Sequence, residues 1–361
     1  MKEVFIMKYD VVTIGSATMD AFIETEDASI VSVSMKDRKK DYMSYPYGNK
    51  IEINDFKNAF GGGAVNTACN FSKLGLKTAV IIKIGKDGIG DDIKKMLTEY
   101  GISINSVIET ENETTGFSVI LVSFQGDRTV LAHRGPNATL KTSEIDFDLI
   151  KNSKWLYIAP LNGESTEVLD EIAEFAEKNG VNMAINVGTS SIKRGEKYLK
   201  KILETAEVVL MNADEATMLT KIQIRPDTKT EKFSNELIHP DIRKMMKKLK
   251  NTKAKIVVIT DGKNGAYAFD GKTFYRCAEF PADVVSTLGA GDAFASTFVS
   301  FLEKTNWDIE KSMLAASVNS ASVVEQFGAQ DGLLNCDEIA DRLFQNPEFK
   351  IQKIAAKACS D

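Results

Sequence analysis

Metal-binding and membrane-inserting residues are scarce in this sequence. Of 361 residues only 4 are Cys and 2 are His. Cys69, Cys277, Cys336 and Cys359 lie far apart with no CxxC spacing, so neither a paired-cysteine zinc site nor a disulfide framework is expected. HExxH is absent too. No window offers 18 consecutive apolar residues, and Met1 to Met7 is too short for a secretory apolar region, so no membrane partner and a reducing, cytoplasmic setting are expected. Positive charge is also short: 45 Lys and Arg face 51 Asp and Glu, a net charge of -6. A partner bound through its phosphate backbone calls for the opposite bias, so nucleic acid is not expected. The longest basic cluster, Arg243 to Lys255, is broken by Met245, Met246 and Leu249 and reads as the solvated face of a helix.

What is present is ordinary globular material, 43% hydrophobic and 27% charged, enough for one large domain or two of common size. Apolar runs and amphipathic stretches alternate. Tyr9 to Gly15, Thr78 to Ile84, Trp155 to Ile158, Asn182 to Asn186, Val208 to Met211 and Ile256 to Thr260 read as buried strands. Asn66 to Leu74, Asp91 to Tyr100, Glu164 to Lys178, Ala290 to Leu302 and Met313 to Val324 read as helices, with Gly101 and Gly180 as stops. Such alternation predicts a mainly parallel sheet covered on both faces. Two stretches break the rhythm. Ile30 to Phe60 is polar, with Tyr42, Tyr45 and Tyr47 around Pro46; Thr115 to His133 alternates around the turn Gln125-Gly126-Asp127. They read as an edge hairpin plus a loop, or as a small sheet that lids a site, and loops this long without a job are uncommon. Lys221 to Pro240 reads as an exposed insertion.

Glycines mark the chemistry. Gly289-Ala290-Gly291-Asp292 runs straight into an apolar helix, where turned backbone amides and the positive helix end make an anion site. Asp292 at its mouth has two readings, a helix cap or a base that takes a proton from an attacking hydroxyl. Gly61-Gly62-Gly63, followed by Asn66, opens another helix and allows close backbone approach to a ligand. It lacks the third glycine and the preceding buried strand of a dinucleotide fingerprint. Gly265 and Gly271-Lys272-Thr273 are one residue too far apart for a P-loop and read as a hairpin turning at Asp270-Gly271. Asp20, just past the first strand, suits hydroxyl binding or a turn. Asn212 and Glu215 follow another strand and fit a helix capping box, a phosphate or hydrated-metal site, or both. Thr260, Gly262 and Gly265 form a glycine turn that can serve phosphates.

In this order, with Gly15-Ser-x-x-x-Asp20 and Phe327-Gly328-Ala329 in place, these segments resemble the PfkB, or ribokinase-like, family of sugar and nucleoside kinases over nearly the whole chain. The resemblance implies a three-layer α/β/α fold with a mainly parallel sheet and a small β lid. The core is then expected in residues 1–29, 61–114 and 134–347, the lid in 30–60 and 115–133, and a tail in 348–361. It implies an ATP-dependent kinase acting on an alcohol, with magnesium accompanying ATP. Asp292 would be the base, the amides of Gly289, Ala290 and Gly291 the anion hole, and Asp20, Gly62, Gly63 and Asn66 the grip on the acceptor. Asn212, Thr260, Gly262, Gly265 and Asn319 would line the nucleotide site, with Glu215 serving magnesium through water. Two departures bear on this. Ser286 stands where many members carry an Asp that helps hold a monovalent cation, which puts potassium dependence in doubt, and Gly63 stands where ribokinases proper often carry Lys. Arg134 to Asn137, with His133, falls where family members contact acceptors. A sugar is the leading acceptor. A nucleoside is the alternative, favoured if Tyr42, Tyr45 or Phe124 stack on a base, and a catalytically idle ligand sensor is the second. A homodimer through the lid is a further expectation.

Overall fold

The computed structural model describes residues 8–35, 39–122, 128–226, 237–250 and 254–356. A nine-stranded sheet organises it. From one edge run Thr78–Ile81, Tyr9–Ile14, Ser153–Ile158, Asn182–Asn186, Val208–Asn212 and Ile256–Thr260, all parallel. Ala266–Phe269, Thr273–Cys277 and Gln352–Ala355 then continue it antiparallel. The parallel strands are continuous apolar runs because helices cover both of their faces. On one face Val12, Leu156, Met183, Val209 and Val257 pack under Leu169–Asn179, Lys200–Thr205, Ala213–Thr220 and Pro240–Lys250. On the other, Val11, Trp155, Tyr157, Leu210 and Val258 meet Phe71, Phe294, Phe298 and Met313 from Gly63–Lys73, Ala290–Lys304 and Ile309–Val324. The helices that carry Asn66, Asp292 and Asn319 therefore lie on one face, and the helix that carries Glu215 lies on the other.

A second sheet stands apart from this core, ordered Arg128–His133, Gly116–Val122, Thr18–Glu24 and Asp55–Gly61. Thr18–Glu24 pairs parallel with Gly116–Val122 and antiparallel with Asp55–Gly61. Cross-strand register places Asp20, Ala59 and Ser118 on one face and Ile23, Phe56 and Leu121 on the other. Ser29–Ser34 and Lys39–Ser44 form a hairpin of their own.

Several sequence expectations need correction. Thr18–Glu24, placed with the core, belongs to the small sheet, because the first strand ends at Ile14 and the chain turns out of the large sheet through Ser16 and Ala17. Among the described residues of the stretch 30–60, only those of Asp55–Gly61 join that sheet. The tail is not wholly a tail: Gln352–Ala355 is an edge strand whose Ile354 sits opposite Phe274. Its mostly polar, exposed residues hid a strand that packs against the core through the partly buried Ile354. The strand expected over Thr78 to Ile84 breaks after Ile81, since its neighbour ends at Ile14, and Lys83–Gly85 re-pairs with Ile108–Thr110. The helix expected from Glu164 opens as a 3-10 turn, Gly163–Val168. The hairpin at Asp270-Gly271 forms as expected, with the Asp270 carboxylate accepting from the amides of Lys272 and Thr273. The turn at residues 125–127, Phe124, Cys359 and residues 227–236 of the expected insertion lie outside the described residues.

Candidate active site

Open parallel sheets place ligands beyond the carboxyl ends of their strands, where neighbouring strands send their chains in opposite directions. Here that point lies between Tyr9–Ile14 and Ser153–Ile158. Both glycine-led helices start there. Gly62 has φ +94°, and a Cβ on it would lie 2.4 Å from the Ser16 carbonyl oxygen, so the run is pressed onto the turn that leaves the first strand. The Gly63 amide donates to Ser16 Oγ at 3.0 Å, and a Cβ on Gly63 would sit 2.9 Å from that of Ala159. Gly61 matters for a different reason: a side chain there would collide with the carboxylate of Asp20.

Gly289 caps the second helix with φ +78°, the left-handed conformation that glycine adopts without strain. A Cβ on it would fall 2.4 Å from that of Ala329, so the loop after Ile309–Val324 closes directly over this turn. Among the described residues no side chain caps the helix. The amides of Ala290, Gly291 and Asp292 precede its first intrahelical bond, from Ala293 N to the Gly289 carbonyl at 2.8 Å, and so belong to the donor-rich end. Asp292 is thus in the first turn, not at the cap. Its Oδ2 accepts from Asn66 Nδ2 at 2.9 Å. Burial raises the Asp292 pKa to about 6, and the Asn66 bond offsets only part of that rise. A carboxylate so placed is ionised at neutral pH yet basic enough to receive a proton.

Asp20 is buried on the inner face of the small sheet, and burial raises its pKa although the Ser118 and Thr18 hydroxyls bond to it. Across the strand ends, Asn212, Thr260, Gly262 and Gly265 line a cavity of about 470 Å³ that reaches Ala290 and Gly291. That is room enough for a small-molecule ligand. The structure therefore groups the expected nucleotide residues with the helix end, and Asn66 with Asp292.

Two candidates sit elsewhere. Asn319 is fully buried and does not line the cavity: it donates to Asn70 Oδ1 (2.9 Å) and Thr297 Oγ1 (2.8 Å) and accepts from Leu334 N (2.9 Å). With Asn70, which donates to Ser296 Oγ and Thr297 Oγ1, it ties together the three helices behind the site. Its neighbours Ser317, Ser320 and Ala321 line the cavity instead, one turn-position away. Glu215 forms the capping box with Asn212: Asn212 Oδ1 accepts from Glu215 N at 2.8 Å and Glu215 Oε2 from Asn212 N at 3.1 Å. Thr189 donates to its other oxygen at 3.3 Å. Asn137 pins the exit from the first strand, binding both the amide and the carbonyl of Ala17 at 2.8 Å. Arg134 and His133 are exposed.

Sequence reasoning missed Ser16, Ser118 and Gln330. Ser16 stands in the Gly15-Ser-x-x-x-Asp20 segment but was given no role, and Ser118 carries no signal beyond its place in an alternating strand. Gln330 directly follows the Phe327-Gly328-Ala329 segment, and its Nε2 donates to Asn66 Oδ1 at 3.1 Å.

A family model described as pfkB family carbohydrate kinase matches residues 9–336. The ATP-dependent 6-phosphofructokinase of Thermoanaerobacterium thermosaccharolyticum is 25% identical over 340 residues, 92% of this chain and 93% of that protein. Among solved structures, Arabidopsis thaliana ribokinase complexed with ribose and ATP is similar with TM-score 0.74 at 22% identity, covering 93% of this chain and 99% of that one. The Methanocaldococcus jannaschii nucleoside kinase is similar with TM-score 0.72 at 19% identity, covering 94% and 99%.

Proposed function

The chain belongs to the pfkB family of carbohydrate kinases, and from that premise we propose that it transfers the γ-phosphoryl group of ATP to an alcohol hydroxyl of a sugar, with Asp292 as the base. The observation that carries this reading is the Asp292 carboxylate at the first turn of an uncapped helix, with a cavity opening onto the same turn. In the proposed step Asp292 takes the acceptor's hydroxyl proton, the oxygen bonds to the γ-phosphorus, and the bond to the bridging β-γ oxygen breaks, releasing ADP. The amides of Gly289, Ala290 and Gly291 hold the charge that builds on the transferring group, each well-aimed donor contributing a few kcal/mol. Asp20, the backbone at Gly62 and Gly63, and Asn66 grip the acceptor's other hydroxyls. Asn212, Thr260, Gly262 and Gly265 hold the nucleotide.

Magnesium would come with ATP and neutralise phosphate charge. No group of three metal-holding side chains exists among the described residues. Magnesium that keeps phosphate oxygens and waters as ligands needs none; Glu215 is buried in its capping box outside the cavity lining, with each oxygen accepting one bond, and would reach magnesium only through water. Residue 286 offers no carboxylate to a monovalent cation, and no step is assigned to one.

A sugar is preferred because the matching family model is one of carbohydrate kinases. Of the aromatic residues that would favour a nucleoside, Tyr42 is exposed on a separate hairpin under the Lys40 ammonium, Tyr45 donates its hydroxyl to Met43 Sδ, and Phe124 lies outside the described residues. A second copy bound through the lid belongs to the same proposal, resting on the exposed Phe56 and Leu131 of its outer face. ATP consumption measured with a panel of sugars and nucleosides tests the function. Consumption with a sugar supports it, consumption with nucleosides alone replaces the acceptor class, and none with either leaves the ligand-sensor reading.

A further inference from the structure

We propose that Gln330 is a positioning residue: it fixes the orientation of the Asn66 carboxamide, and through it the donor that holds Asp292 in place. This deepens the kinase reading and rests on it for the kinetic part of its test.

Polarity along the chain of contacts leaves no choice of orientation. An ionised carboxylate only accepts, so Asn66 must turn its NH₂ to Asp292 Oδ2, 2.9 Å away. Its carbonyl oxygen then faces the other way and only accepts. Gln330 is buried, and its Nε2 supplies that donor at 3.1 Å while also donating to the Phe60 carbonyl at 3.3 Å. Both amide hydrogens of Gln330 are thus used, one on Asn66 and one on the last turn of strand Asp55–Gly61 before the glycine run. Without Gln330 the Asn66 amide could rotate half a turn and present its oxygen to a carboxylate, which repels it.

The loop that bears Gln330 touches both halves of the site. Ala329 packs on Gly289, where the helix end begins, and Gln330 reaches Asn66 one residue later. Few titratable groups compete for influence on Asp292. Tyr157, from strand Ser153–Ile158, faces it and has its phenol held well above the usual value by burial and by the Asp292 charge. Asp331, next in the loop, lies against Gly328 and acts on Tyr100.

The test compares Gln330→Met, which keeps the length without the donor, and Gln330→Glu, which accepts and so pulls the Asn66 NH₂ away from Asp292. In both, the acidic limb of kcat/KM against pH moves upward, further for Glu, and kcat falls roughly fivefold to tenfold while KM for ATP holds. In an Asn66→Ala background Gln330→Met changes neither quantity, because nothing remains for it to orient. A readout independent of turnover is the titration of the Asp292 carboxyl, followed by carbon NMR on Asp-labelled protein and assigned with Asp292→Asn. Its midpoint rises in Gln330→Met. A midpoint that stays at the wild-type value, or a full effect of Gln330→Met without Asn66, overturns the proposal. A wild-type protein that turns over no acceptor while the midpoint still moves overturns only the kinase reading.

Discussion

Burial and one carboxamide set the working range of Asp292. With a pKa near 6 it must lose its proton before it can accept another, so kcat/KM should rise with pH, reach half its plateau near pH 6 and stay flat above. Asp292→Asn keeps the shape and the place in the first turn but removes the proposed base; turnover should fall at least about a hundredfold while ATP still binds. Stability should move the other way. Between the ordinary value of 3.8 and about 6 the folded protein holds a proton that the unfolded chain has released, so wild-type stability falls as pH rises through that window. Asp292→Asn should therefore melt higher than wild type at pH 8 and gain nothing at pH 4, which calorimetry at the two pH values checks. For Asp20, whose carboxylate is buried among hydroxyls rather than cations, the proposed task is different. Asp20→Ala should raise KM for the acceptor about tenfold to a hundredfold, from loss of a charge-assisted bond of roughly 1.5–3 kcal/mol, and leave ATP affinity unchanged. Equal weakening of both ligands would make Asp20 a support of the small sheet.

At the scale of elements, the site depends on how tightly the two glycine-led helices are docked. Gly289→Ala should force a left-handed alanine against the Cβ and Cα of Ala329, at 2.4 and 2.7 Å. The expected loss is roughly 1–3 kcal/mol in urea unfolding, with weaker phosphoryl transfer as the first turn shifts. Ala329→Gly in the same chain should recover part of both, and no recovery would locate the strain elsewhere. The glycine signals were legible in the sequence because a glycine before an apolar helix has few other uses. The parallel strands were legible too, being continuous apolar runs bounded by turns. Asn319 was misplaced because a polar residue one position from the cavity-lining Ser320 looks the same in sequence whether it faces a ligand or a buried amide network. Gln330 was missed since its importance lies in contacts to Phe60 and Asn66, more than 260 residues earlier in the chain. Residues 18–24 were placed with the core and not read as a strand of the small sheet, because partner choice for a short strand is decided by tertiary pairing, here with residues 116–122, which no local pattern encodes.

Across the whole molecule, the two sheets meet through a few narrow crossings. The chain leaves the core after Gly15 and returns through Gly62, at φ +94°; it leaves again at Gly116 and returns through Gly135, at φ +48°. Asn137 clamps the first crossing to the last by holding Ala17 on both backbone groups. Elsewhere the small sheet leans on the core through single side chains: Phe327, from the loop that also carries Gln330, sits edge-on to Phe22 and under the Lys57 ammonium. A sheet attached this way can pivot while its ladders stay intact, and closing it, with its Asp20, over Asp292 would expel water from the transferring phosphoryl group. Amide exchange in Thr18–Glu24, Asp55–Gly61, Gly116–Val122 and Arg128–His133 should therefore slow together when the acceptor binds, and change less with ATP alone. Among the described residues, strands Ser29–Ser34 and Lys39–Ser44 pair only with each other and should keep their rate, which separates closure of the lid from a general tightening of the fold. If the four strands respond no more than the hairpin to an acceptor that is turned over, the small sheet is a fixed wall of the site. Asp20 would then grip its ligand without closure, and water would have to be excluded by the acceptor itself.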